Sequence, residues 1–129
     1  MTARALKQTS LADLTAALRS SWSAATSVSP ERWTASTPSL GQCAVTALVL
    51  QDYLGGELHR GIVGETSHYW LQTGSGDIID LTLEQFSNPT VVPTGVRDRD
   101  YVLSSESTSA RYRTLADAVV RHILEYERS

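Results

Sequence analysis

Three residues of this chain have types and spacing suited to nucleophilic chemistry: Cys43, His68 and Asp80. A thiol attacks carbonyl carbon as its thiolate, which needs a base to take the proton and benefits from a positive electrostatic environment. Cys43 opens an apolar run, 43 to 54, that stops at Gly55-Gly56 and is expected to form a buried central helix. At the first turn of such a helix, unpaired backbone N–H groups and the positive end of the dipole favour a thiolate, and the same N–H groups can hold an oxyanion. Taken alone, a lone helix cysteine is more often a small buried hydrophobe than a nucleophile, so the weight falls on its partners.

His68 falls in a β-prone segment, Ser67 to Gln72, and shares a face with Trp70 because strand side chains alternate. A further segment, Asp77 to Thr82, follows a Gly74-Ser75-Gly76 turn. A turn with an odd number of residues centred on Gly74 places His68 directly opposite Asp80, with Cβ atoms about 4.5–5.5 Å apart. A four-residue turn instead puts them on opposite faces. With the first register the set supplies a nucleophile (Cys43), a base (His68) and a carboxylate that orients it (Asp80). Cys43 N–H is one oxyanion donor; the Gln42 side chain or an upstream indole, Trp33 or Trp22, is a candidate for the second. Packing is the favoured role for both tryptophans. Trp70 is the candidate wall of an acyl pocket.

The elements around these residues read as follows. Ser10 to Asp13 has the form of a capping box, and Leu11, Leu14, Leu18 and Trp22 continue at helical spacing. From Ser23 to Gly41 the chain is rich in Ser, Thr and Pro and is expected to be irregular, with Trp33 anchored on the core. Leu58 to Val63 is the first of three strands in an antiparallel meander. Asn88-Pro89 and Pro93 mark a loop, Tyr101 to Leu103 a short strand, and Tyr112, Leu115, Ala116, Val119 and Ile123 a C-terminal amphipathic helix. The expected fold class is α+β: a central helix carrying the cysteine, packed on a small antiparallel sheet carrying histidine and aspartate.

The motifs around the three residues resemble those of transglutaminases, whose core is papain-like. Gly41-Gln42-Cys43-Ala44-Val45-Thr46-Ala47 is similar to their G-Q-C-W-V-F-A nucleophile motif, Ser67-His68-Tyr69-Trp70 to their H-x-W strand and Asp80-Leu81-Thr82 to their D-x-T segment. Order and spacing also agree. Over the whole chain the resemblance is to the YunG-like family of small bacterial proteins. It is densest from Gly41 to Phe86, including Gln51-Asp52-Tyr53-Leu54-Gly55-Gly56 and Asp80-Leu81-Thr82-Leu83-Glu84-Gln85-Phe86. That family supplies no substrate. The transglutaminase likeness implies a thiol that forms an acyl-enzyme from an amide or ester and passes the acyl group to water or an amine. Ala44 and Thr46 stand where that motif has large aromatics, and the chain is too short for calcium sites, so cross-linking of proteins is not implied. The alternative is an inactive member of the fold that serves as a peptide- or protein-binding module.

Composition narrows the remaining classes. The chain has 129 residues and 41% hydrophobic content, which suits one domain over 1–129. Eleven basic and 14 acidic residues give a net charge of −3 without blocks, so a nucleic-acid partner is not expected. No run approaches the ~20 apolar residues of a membrane span, and the first twenty residues lack a secretory core, so a cytoplasmic location is expected, with no membrane partner. One cysteine allows no internal disulfide. Close metal-ligand pairs such as C-x-x-C are missing, so no metal or cofactor is expected, and His59 and His122 are assigned to solvent. The expected partner is a small-molecule or peptide acyl substrate.

Overall fold

The computed structural model describes residues 9–128. Helix α1 spans Leu11–Ser21. Its N-cap is Ser10, whose Oγ accepts from the Asp13 N–H at 3.1 Å, satisfying one of the donors that a helix start leaves open. Leu14, Ala17 and Leu18 form its buried stripe. Helix α2, Cys43–Leu54, is buried continuously from Val45 to Leu50, which is why its sequence is apolar all round. It ends as expected at two glycines with positive φ, Gly55 at 69° and Gly56 at 92°, and the Gly55 N–H returns to Gln51 O.

The sheet contains β1 (Glu57–Val63), β2 (Thr66–Gln72), β3 (Ile78–Ile79) and β4 (Val91–Arg97) in the order β3-β2-β1-β4, and β1 is antiparallel to both of its neighbours. The meander is therefore present and is extended on its far edge by a strand where a loop was expected. Pro93 hid it. A proline lacks an N–H and is tolerated at an edge or a bulge, and here it sits at the register shift between Arg60 and Gly61 on the outermost strand. Tyr101 to Leu103 is helical, not a strand: it belongs to α3, Arg99–Leu103. Only Val102 of that helix is fully buried, which an alternating reading of three apolar residues cannot distinguish from a strand.

Helix α4, Glu106–Arg128, sends Leu115, Val119 and Ile123 into the core at four-residue spacing. There they meet Leu14 and Leu18 of α1, Leu48 of α2, and Leu58 and Leu71 of the sheet. A polar knot closes one side of this core. Arg99 donates to Leu48 O, Gln51 Oε1 and Tyr112 Oη and pairs with Asp52 at 2.7 Å, tying the end of α2 to α3 and α4. Trp33, expected on the core, lies outside it. Half-buried, it donates its indole N–H to Pro38 O at 2.9 Å and so closes its own loop.

Candidate active site

Cys43 is the first residue of α2 and half-buried, so its N–H has no carbonyl one turn back within the helix. The N-cap residue, Gln42, makes no side-chain cap. The loop before it is held in place by a set of short-range bonds. Gly41 adopts φ 72°, its carbonyl accepts from Val28 N, and its N–H donates to Gln85 Oε1 at 3.1 Å. A Cβ on Gly41 would lie 2.3 Å from Ser27 Oγ and 3.0 Å from Val28 N. Both the backbone region and the close approach therefore require glycine. Gly41→Ala is expected to cost roughly 2 kcal/mol or more, from the positive φ and the clash together, read as a lower denaturation midpoint.

Gln42 is fully buried. Its Nε2 donates to Ser23 O at 3.0 Å and its Oε1 accepts from Thr26 Oγ1 at 2.7 Å. The amide expected as a second oxyanion donor is thus committed to bracing the loop. The indoles are engaged as well, Trp22 on Thr46 Oγ1 at 2.9 Å and Trp33 on Pro38 O. Among the donors considered from sequence, the backbone N–H of Cys43 is the one left for an oxyanion.

His68 and Asp80 meet, although not through the expected register. Strand β3 pairs Leu71 with Ile79 and Gln72 with Ile78, which centres the turn on Ser75 rather than Gly74. The turn is set by Thr73 N donating to Asp77 O and Gly76 N donating to Thr73 O, with Thr73, Ser75 and Asp77 side chains bonded inside it. Moving the centre by one whole residue keeps the alternation in phase, so Asp80 stays on the His68 face as a diagonal neighbour. Strand β3 also ends at Ile79, so Asp80 reaches His68 from just beyond it.

The contact is short: His68 Nε2 lies 2.6 Å from Asp80 Oδ2. Asp80 Oδ1 accepts from the Thr82 N–H at 3.3 Å, fixing the carboxylate. His68 is fully buried, and its other nitrogen, Nδ1, has no hydrogen-bond partner among the described residues. Cys43 is the group beside it. Cys43 Sγ lies 3.9 Å from the carbonyl oxygen of Ser67, the residue joined to His68. Burial pushes the imidazole pKa down, but the hydrogen bond to Asp80 and the electrostatic effect of Asp80 and the nearby Cys43 outweigh it, and His68 is pushed up from 6.5 to about 9.

The sign of this shift gives a pH dependence. A group whose folded pKa is raised contributes stability that is complete below its unfolded value, near 6.5 here, and lost as pH rises through about 9. That contribution is up to about 3 kcal/mol. A histidine-ring NMR titration should place the His68 midpoint near pH 9, and Asp80→Asn should bring it down; an ordinary midpoint in the native protein would contradict the pairing.

Aromatic rings enclose the imidazole. Phe86 meets it edge-on at 5.3 Å between centroids, and Trp70 lies 5.9 Å away. Trp70 is itself 6% exposed and occupies the space above Gly61, where a Cβ would come within 2.8 Å of its ring. His59, expected in solvent, instead stacks on Trp70 at 6.0 Å, and its Nε2 is buried without a hydrogen-bond partner.

Gln85 and Phe86, which carry no role in the sequence motifs, take part in the site. Gln85 Nε2 donates to Thr82 O while its Oε1 holds Gly41 N–H, so one side chain links the Asp80 turn to the cysteine loop. The signal was present in the Asp80 to Phe86 run, whose polar and aromatic ends have no reason to accompany a bare carboxylate. No group of three or more His, Cys, Asp or Glu side chains able to hold a metal ion occurs among the described residues. Nor is any described helix long and apolar enough to cross a membrane.

Fold and site together define an α+β protein in which a small antiparallel sheet and a buried helix bring a thiol, an imidazole and a carboxylate into one cluster. The chain belongs to the YunG family: the family model described as YunG protein matches residues 10–124. It is also similar to a protein of Bacillus subtilis (strain 168) described as "Uncharacterized protein YunG", 36% identical over 109 residues that cover 82% of this chain and 88% of the relative. No solved structure matches the chain.

Proposed function

We propose that the chain is a cysteine-dependent enzyme of transglutaminase-like, papain-like type that transfers acyl groups or hydrolyses amides or esters through an acyl-enzyme on Cys43. The observation that carries this reading is the buried His68 ring, with Nε2 bound to Asp80 and Nδ1 left without a partner beside the thiol. With the imidazole pKa raised to about 9, the ring holds a proton at neutral pH, ready to be given to the leaving group.

The chemistry then follows in two half-reactions. Cys43 Sγ attacks the carbonyl carbon, forming a C–S bond and moving the π electron pair onto oxygen, where the Cys43 N–H stabilises it. Collapse of this adduct restores the carbonyl and breaks the bond to the amine or alcohol, which leaves with the proton held by His68. Water or an amine next attacks the thioester, His68 takes its proton, and the C–S bond breaks to release thiolate and product. Asp80 holds the ring in the required orientation throughout. Trp70 and Phe86 shield the imidazole from water.

Intact-mass analysis tests this against a panel of p-nitrophenyl esters, amides and thioesters. An acyl adduct on Cys43 is expected within one turnover, with added amines diverting the product if the enzyme is a transferase. A protein that never acylates across the panel would favour the binding-module reading.

A further inference from the structure

The wall beside the thiol carries unneutralised positive charge. Arg60 donates from Nη2 to Ser67 Oγ at 2.6 Å, and the carbonyl of that same Ser67 is the group 3.9 Å from Cys43 Sγ. The guanidinium is therefore held one residue from the nucleophile. Arg60 is the direct cross-strand partner of Tyr69. Arg97 faces Leu58, two residues from Arg60 on β1, which puts the two arginines on one face of the sheet as diagonal neighbours. Tyr69 lies within electrostatic reach of Arg60, Cys43 and Arg97 together. Arg111 of α4 donates to Thr26 O, Ser107 Oγ and Thr108 Oγ1 and lies within electrostatic reach of Cys43.

None of these three arginines forms an ion pair among the described residues. In a chain with net charge −3, a guanidinium held beside the thiol through Ser67, with Arg97 as its diagonal neighbour on the sheet, runs against the overall balance. Guanidinium groups present planar, paired donors that match carboxylate and phosphate oxygens. Deepening the acyl-transfer reading on which it rests, we propose that the acyl donor is anionic. Its carboxylate or phosphate is held by Arg60 and Arg97, with Arg111 adding to the positive field, while its carbonyl is presented to Cys43.

Two alkylating reagents of nearly equal size and opposite suitability test the charge without requiring turnover. Iodoacetamide is neutral and reports the thiolate; iodoacetate carries a carboxylate and reports the arginines as well. The ratio of iodoacetate to iodoacetamide rates at Cys43 should exceed that of a free cysteine peptide by roughly tenfold at low salt, as expected for a focused positive field. Raising NaCl from about 20 mM to about 500 mM should erase most of this excess, because screening lengths shrink below the site's dimensions. Arg60→Gln and Arg97→Gln should each lower the ratio, with circular dichroism confirming that the variants fold. Glutarate and inorganic phosphate, added separately, should slow iodoacetamide labelling, and the stronger protector identifies the anionic group. Normal iodoacetamide labelling with a peptide-like, salt-insensitive ratio overturns the anionic donor and leaves the thiolate reading standing. Failure of both reagents until denaturation overturns both.

Discussion

Cys43→Ala is expected to abolish acylation and turnover completely while leaving the fold intact. The chain has one cysteine, so no second thiol can take over. Alanine retains the helix start, because the bonds that shape it come from Gly41, Gln42 and their partners rather than from the thiol. The hydrogen bond its side chain makes among the described residues is a weak one, to Ser67 O. A loss of at least about 10⁴-fold in kcat/KM in a variant that still folds is the expected result, since a nucleophile acting as part of a unit is not partly replaceable. Its removal should also lower the His68 midpoint, because Cys43 is one of the groups holding that proton. Full turnover in Cys43→Ala would falsify the mechanism.

Asp80→Asn is the second large effect. The substitution keeps an oxygen able to accept from Thr82 N–H, the bond now made by Asp80 Oδ1 at 3.3 Å, so the turn should survive. The other atom is the problem. An amide nitrogen facing His68 Nε2 donates rather than accepts, which favours the tautomer with its proton on Nδ1 and removes the negative charge that stabilises the imidazolium. A fall in kcat on the order of 10³–10⁴ is expected, with substrate binding much less affected. The diagnostic readout is the His68 titration, which should move from about 9 toward its ordinary range. A variant with lost activity and an unmoved midpoint would assign Asp80 to the turn alone.

Gln85 explains why the Asp80 turn and the cysteine loop are one device. The side chain spans from Thr82 O to Gly41 N–H, while Phe86, the next residue, packs its edge on His68. The seven residues from Asp80 to Phe86 therefore orient the base, wall it and brace the approach to the nucleophile. Two residues of the loop before α2, Ser27 and Thr26, complete the support through Leu40 O and the Gln42 amide.

Much of this was legible in the sequence because it depends on local rules. The start and end of α2 follow from an apolar run bounded by glycines, α1 from a serine cap and leucine spacing, and the shared face of His68 and Trp70 from strand alternation. The family resemblance rested on contiguous motifs that survive as written. What the sequence could not determine were features decided between segments distant along the chain. The register of the 73–77 turn depended on side-chain bonds inside it, and Asp80 reached His68 only because the error in its centre was one whole residue, which preserves the face. Strand β4 exists because β1 offers it an edge, which local proline content argues against. Tyr101 to Leu103 became helical in a segment leading into α4, and short apolar triplets carry no period of their own. The fates of Gln42, Trp33 and His59 were likewise settled by partners as remote as Ser23, Pro38 and Trp70. A side chain's polar atoms go where unmet donors, acceptors and ring faces are, and only the folded chain fixes where those lie.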